Sequence, residues 1–488
     1  MITLQPVDMM RILPEIILSV FAVLIMVLEP FVEAAHKKLL GWMALLGVAA
    51  AGASIARLTL YPWPGMGPAF GGAVTADEFG FYFIYLFLLV AALVILGSLD
   101  YLQRDHLQHG EFYSLVLMGT VGMCFMAAST DLIMIFLGLE ISSIATYILA
   151  GYRRADPLCN ESSLKYFLLG SFATAFLLYG IAFVYGLTGT TNLLGASARL
   201  SEPSQWTAFT EVAMVLMFVG LAFKLSIAPF QIWAPDVYQG APAPVTAFLS
   251  VGPKAAAFAV LLRVFLGSFS SGTAVSFWIL WISAALTMCV GNLGALWQSN
   301  IKRLLAYSSI AHAGYVLVGV TAGGSRGISG VMYYLVAYAL MNVGAFILIA
   351  HLSGAGERLV QIEDYKGLAY ARPAVAACLT VFFLSLAGFP TTAGFLGKFY
   401  LFRAAIHSHL VGLTILALLN SVVSVYYYFK IIVAMYMHEG KTETAEAALP
   451  WPVRAALAVS VLGIFYLGLA PNAFMGLSIQ ASLPLLKW

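Results

Sequence analysis

Four lysines, Lys224, Lys254, Lys398 and Lys430, lie in stretches of the chain that are otherwise apolar. A lysine at the centre of a bilayer helix costs roughly 2.5–3.5 kcal/mol even on lenient insertion scales, so several in one chain call for a function. The chemistry on offer is proton transfer. Burial lowers a lysine pKa by up to ~3–5 units while arginine stays charged, so a nearby charge can switch a buried lysine between ammonium and amine. Among 22 acidic residues only Glu140, in DLIMIFLGLEISSIATYIL, is expected well inside an apolar run. If Glu140 pairs with Lys224, moving the carboxylate away releases the lysine proton, and the two titrate as one coupled unit. A lone Glu–Lys pair would equally serve as a structural bridge between helices. The recurrence of lysines beside helix breaks favours proton transfer. His312, in IKRLLAYSSIAHAGYVLVGV, is either a relay or a hydrogen-bonded packing residue among Tyr307, Ser308, Ser309 and Tyr315. Lys430 follows Tyr426-Tyr427-Tyr428-Phe429 late in its helix, where a long side chain snorkels to the interface.

These groups need a scaffold, and the composition says which. With 488 residues, 61% hydrophobic, 9% charged and a mean hydropathy of +0.93, the chain has too little polar surface for a soluble fold. It reads as an all-α polytopic membrane protein. Windows of about 20 apolar residues place fourteen spans near 13–32, 39–58, 80–98, 112–128, 131–150, 165–187, 209–228, 243–267, 275–296, 303–321, 328–352, 374–405, 410–436 and 453–470. Leu13 to Phe31 is too long for a signal peptide core and leads into Glu33 and His36-Lys37-Lys38, so it is read as the first span. Counting Lys and Arg in alternate loops gives thirteen against seven, which puts the richer side in the cytoplasm and both termini outside, as in a bacterial inner membrane. The net charge of +2 without a polybasic run excludes nucleic acid as a partner. Cys124, Cys159, Cys289 and Cys378 are scattered, His106 and His109 stand alone in a polar loop, and no nucleotide-binding fingerprint occurs, so no cofactor or metal is assigned to this chain.

Helix breakers mark where the chemistry sits. Lys224 in span 7 precedes Pro229, Pro235, Pro242, Pro244 and Pro253, while Lys398 in span 12 follows Gly388-Phe389-Pro390. A proline removes a backbone donor and frees a carbonyl such as that of Leu249, and freed groups at membrane depth need protein or water partners. Five spans separate the two lysines, and the same offset leads from Glu140 in span 5 to His312 in span 10. Because five is odd, two copies of such a unit lie in opposite orientations. The expected organisation is helices 1–3 over 1–111, a first five-helix unit over 112–267, an inverted second over 275–436, and helix 14 within 437–488.

The runs DLIMIFLGLEISSIATYILAGY, PFQIWAPDVYQGAPAPVTAFLSVGPKAA, NIKRLLAYSSIAHAGYVLVG and LAGFPTTAGFLGKFYLF make the chain resemble the antiporter-like subunits of proton-pumping NADH:quinone oxidoreductase, respiratory complex I, above all the subunit N type. The resemblance covers nearly the whole chain. It implies a membrane-arm subunit that moves protons while other subunits bind NADH, FMN, iron–sulfur clusters and quinone. It also implies proton-transfer roles for Glu140, Lys224, Lys254, His312 and Lys398, and neighbours of types M, K and J with the lateral helix of L. The M type is expected to carry glutamate at the place of Lys398, and the L type to extend into a long helix after span 14. Related assemblies, multisubunit Na+/H+ antiporters and membrane-bound hydrogenases, share this pattern and stand as the alternative. A purely structural scaffold, with charges that only pin helices, is the reading from another class.

Overall fold

The computed structural model describes residues 5–33, 36–61, 65–200, 208–268, 274–439 and 448–486. Lys441 and Lys487, two of the basic residues used for sidedness, lie outside the described residues. The long helices, in chain order, are α1 (Leu13–Leu28), α2 (Lys38–Leu60), α3 (Glu78–Arg104), α4 (Gly110–Ala128), α5 (Leu132–Ala150), α6 (Pro157–Thr188) and α7 (Ala208–Leu225). There follow α8 (Trp233–Gly240), α9 (Ala243–Leu261), α10 (Ala274–Leu296), α11 (Ile301–Ala322), α12 (Gly324–Leu352), α13 (Pro373–Ala387), α14 (Ala393–His407), α15 (Val411–Met437), α16 (Trp451–Leu469) and α17 (Pro471–Leu486). Among the described residues thirteen helices are long and apolar enough to cross a membrane. The remaining expected span, 374–405, falls on two shorter helices, α13 and α14.

Helix starts follow local chemistry. Asp77 accepts from the Gly80 N–H at the head of α3, Asp131 from Ile133 at α5, and Asn300 from Lys302 and Arg303 at α11, filling donors that a helix leaves open. Asp156 accepts from Leu158 and Pro157 occupies the first helical position, so α6 begins eight residues before the expected 165. The innermost helix is α9, whose most apolar window is wholly buried, and α11 and α12 flank it at 89% each; the outermost, α1, is 28% buried. The molecule is therefore layered around α9, α11 and α12, and these are the helices that carry Lys254 and His312 or pack on them.

Near the lysines the chain leaves helix in two places, between Leu225 and Trp233 and between Ala387 and Ala393. After α7 the chain turns through Ser226, at φ 57°, before α8. The groups released there find partners: Trp233 Nε1 donates to the Phe223 carbonyl at 2.9 Å and the Ala228 N–H donates to Thr287 Oγ1 at 3.0 Å. Between α13 and α14 the turn depends on Gly388, at φ 90°, where a Cβ would lie 3.2 Å from the Lys398 side chain. Only glycine suits that conformation and that approach.

Two features depart from the sequence reading. A small antiparallel hairpin, β1 (Gly67–Ala69) on β2 (Val74–Ala76), interrupts the all-helical pattern, its turn built on Gly71 and Gly72 with positive φ. Beyond the last span, Pro471 starts α17, whose Phe474 packs on Tyr82 and Tyr333 and whose Ser478 meets the Tyr82 hydroxyl at 3.1 Å. Arg263, near the end of the expected span 243–267, is fully buried in a π-helical continuation of α9. It forms a bidentate pair with Asp77 at 2.8 and 2.9 Å and donates to the Ala127 carbonyl.

Candidate functional site

The three lysines that share the interior are 3–4% exposed, and His312 is 2% exposed. Lys224 sits in the last turn of α7, where the partial negative charge of a helix C-terminus favours a cation. Its ammonium donates to Ser143 Oγ on α5 at 2.9 Å and to the Tyr166 hydroxyl at 3.0 Å, over the rings of Tyr147 and Tyr166. The direct pairing expected with Glu140 is not made. Glu140 Oε1 is buried without a hydrogen-bond partner, and Lys224 reaches the same helix one turn further on, at Ser143. A hydroxyl at this spacing satisfies the ammonium without neutralising it, which keeps the lysine charge free to respond to a more distant one.

From Tyr166 an aromatic column continues inward. Its ring stacks on Trp233 at 4.5 Å, Trp233 meets Tyr238 edge-on at 6.2 Å, and Tyr238 lies under the Lys254 ammonium at 5.4 Å. Lys254, one residue past Pro253 in α9, donates to Ser309 Oγ on α11 at 2.6 Å. The adjacent Ser308 bonds the Tyr428 hydroxyl at 2.5 Å, and Tyr428 is 3.0 Å from His312 Nε2. His312 Nδ1 bonds Tyr334. The histidine is thus held at both nitrogens by hydroxyls that donate or accept according to its tautomer.

Lys398 completes the row. From α14 it reaches back to the carbonyls of Leu386 and Ala387 at 3.1 and 3.0 Å, the open end of α13, and to Ser421 Oγ at 3.0 Å. Its ammonium lies 5.0 Å over the Tyr315 ring, and Tyr315 stands edge-on to His312. A cavity of about 380 Å³ opens beside it, lined by Gly388, Phe395, Phe399, Leu418 and Ser421. The end of α13 thus presents its open carbonyls to Lys398 of the following helix, whereas Lys224, in the last turn of α7, turns its ammonium to hydroxyls of other helices.

Glu140 lies elsewhere than the lysines in one respect: it is only half-buried. Ile133, Leu137, Ile144 and Ile148, which share its helical face, are all exposed. Glu140 therefore lies on an outward apolar stripe with one carboxylate oxygen turned inward. Lys430 is exposed and donates to the Gln298 carbonyl at 3.4 Å, as the snorkelling reading expects. Sequence reasoning did not find Ser143, Tyr166, Ser309, Tyr334, Tyr428 or Ser421, because hydroxyls inside apolar helices carry no local signal until partners arrive from other helices. Glu15 in α1 was also missed as an interior acid; it is 3% exposed, with Oε2 unpartnered. Among the described residues no group of three His, Cys, Asp or Glu side chains is placed to hold a metal.

Residues 129–424 match the family model described as NADH:quinone oxidoreductase/Mrp antiporter, TM. A protein named NADH-quinone oxidoreductase subunit N 1, from Solibacter usitatus, is 50% identical over 471 residues, covering 96% of each chain. A chain of respiratory complex I from Thermus thermophilus, solved with bound aureothin, superposes with a TM-score of 0.81 at 35% identity, covering 96% of this chain and 99% of that one. A chain of an archaeal membrane-bound sulfane sulfur reductase gives a TM-score of 0.84 at 25% identity, covering 97% of each.

Proposed function

The chain belongs to the membrane-subunit family of NADH:quinone oxidoreductase and Mrp antiporters, and on that premise we propose that it is the proton-translocating subunit N of a complex I membrane arm. Subunit N of this kind works as part of an enzyme, with NADH, FMN, iron–sulfur clusters and quinone handled by other subunits. The observation that carries the reading is the row Lys224, Lys254, His312 and Lys398, buried, bonded to hydroxyls or carbonyls, and free of carboxylate partners at hydrogen-bond distance. Permanent structural charges in a membrane interior are normally paired. Cations left to neutral partners are the arrangement for groups that gain and lose a proton.

In this reading Glu140 receives the signal. A neighbouring subunit covers the stripe from Ile133 to Ile148 and shifts the charge near Glu140, which changes how strongly the carboxylate holds the Lys224 proton across Ser143. Lys224 releases its proton toward Lys254, Ser309 and the Tyr428–His312 pair relay it, and Lys398 delivers it into its open cavity. The two inverted units, 112–267 and 275–436, would then act as one device. Neighbours of types M, K and J and the lateral helix of L, location in a bacterial inner membrane, and termini on the outer face complete the proposal. Identity near half to a subunit N relative favours this over an Na+/H+ antiporter or a membrane-bound hydrogenase.

Lys224→Ala tests it. At unchanged complex content the variant is expected to keep NADH oxidation by an artificial acceptor. Quinone-linked proton pumping should fall at least tenfold, since a positioned acid–base group contributes ~10²–10⁴-fold. Pumping that falls only in step with the amount of assembled complex would instead return the lysines to the scaffold reading.

A further inference from the structure

The connection between α12 and α13, a polar loop by sequence, delivers one side chain deep into the protein. Glu357 is 4% exposed at its side chain and takes φ 50°. A left-handed conformation is unfavourable for a residue with a long side chain and persists where surrounding contacts fix it. Those contacts come from four separate segments of the chain. Glu357 Oε1 accepts from the Tyr101 hydroxyl of α3 and from the Ala243 N–H, the first residue of α9, each at 2.6 Å. Its Oε2 accepts from Lys302 of α11 at 2.6 Å, and Arg153, between α5 and α6, lies 3.4 Å away and pairs with Asp105 at 2.7 Å. Lys302 and Arg153, though they stand at helix ends, are thereby drawn inward, their side chains 2% and 10% exposed.

Lys302 makes one further bond, to the Ala241 carbonyl at 2.6 Å. The acid therefore takes the N–H at 243 while its lysine partner takes the C=O at 241, on either side of Pro242. This three-residue joint connects α8, which carries Tyr238, to α9, which carries Lys254. The flanking helices bond part of this joint, Ala241 N–H to the Val237 carbonyl and Thr246 N–H and hydroxyl to the Pro242 carbonyl, while Pro242 itself has no N–H to give. The partner of the Ala243 N–H and a second bond on the Ala241 carbonyl are supplied by Glu357 and Lys302.

We infer that Glu357 and Lys302 are a positioning clamp on the Ala241–Pro242–Ala243 joint, fixing α8 against α9 so that Lys254 stands in reach of its proton partners. The inference rests on the relay reading of Lys254. Glu357 does not itself carry the proton: burial would raise its carboxyl, but the charges of Lys302 and Arg153 and the bonds from Lys302 and Tyr101 outweigh this and hold it down to about 2. It stays ionised throughout the neutral range, as a fixed anchor must.

The test uses the assembled complex with Glu357→Gln, Glu357→Asp, the double variant Glu357→Gln/Lys302→Met, and Lys254→Ala as control. Expected for Glu357→Gln is a several-fold drop in quinone-linked turnover and pumping per assembled complex, with KM for quinone unchanged. Glu357→Asp, which keeps the charge but is one methylene shorter, should fall between Gln and wild type. The double variant should remain impaired, since both backbone contacts of the joint are weakened although no charge is stranded. Full recovery in the double variant would show that only the stranded Lys302 charge mattered and would overturn the clamp. So would a Glu357→Gln loss that merely tracks complex content, or wild-type pumping in that variant while Lys254→Ala is impaired. If Lys254→Ala itself pumps normally, the relay reading fails, and the clamp fails with it.

Discussion

At the scale of single residues, the structure separates two kinds of buried charge. Glu357, Lys302, Arg153 and Asp105 neutralise one another, whereas Lys224, Lys254 and Lys398 rest on hydroxyls and carbonyls. On the proposed reading the first kind holds a shape, the second changes state, and Glu140 belongs with the second. Glu140→Gln is therefore expected to reduce quinone-linked pumping strongly, with Glu140→Asp retaining a large part of it, both measured at equal complex content; equal loss in the two would mean that side-chain shape, not charge, is required. The lysines were legible in the sequence because a charge in an apolar run is conspicuous. Their partners were not, since Ser309 or Tyr428 looks like any other polar residue until a second helix supplies the ammonium or imidazole. Lys302 and Arg153 carry no such signal: they stand at helix ends, where cations are ordinarily solvated, and Glu357 and Asp105 draw them inward.

At the scale of elements, the gap between α13 and α14 leaves carbonyls open and the chain fills them with lysine: Leu386 and Ala387 accept from Lys398, and Gly388 provides the turn. Gly388→Ala would place a methyl 3.2 Å from Lys398 at a φ of 90°, a backbone cost of roughly 1–2 kcal/mol before any shift of the lysine. The expected result is an assembled complex with impaired pumping, checked by proton release per NADH oxidised; normal coupling would show that Lys398 does not need its carbonyl seat. Spans were legible because twenty apolar residues have one use. The interruptions were legible from Pro and Gly. What was hidden is how each gap is closed, as Thr287 and Trp233 do around Phe223 and Ala228, because those bonds join residues far apart in order. The start of α6 at Asp156 was available in principle from its cap and following proline.

At the scale of the whole molecule, the layered core is tied at both ends by ion pairs that link distant segments. Near the hairpin, Arg263 and Asp77 join the end of the α9 segment to the head of α3. Asp77→Asn leaves a fully buried guanidinium short of its charge and is expected to cost about 3–5 kcal/mol, seen as a lower amount of assembled subunit in native gels; Asp77→Leu with Arg263→Met should restore much of it. At the other end sits Glu357, and its place in the chain has a consequence for biogenesis. The joint at Pro242 and the cation at Lys302 are both synthesised before their shared counter-charge. Until Glu357 is added, Lys302 lacks this carboxylate and the Ala243 N–H lacks this acceptor, so a single residue supplies the partner of two groups made well before it.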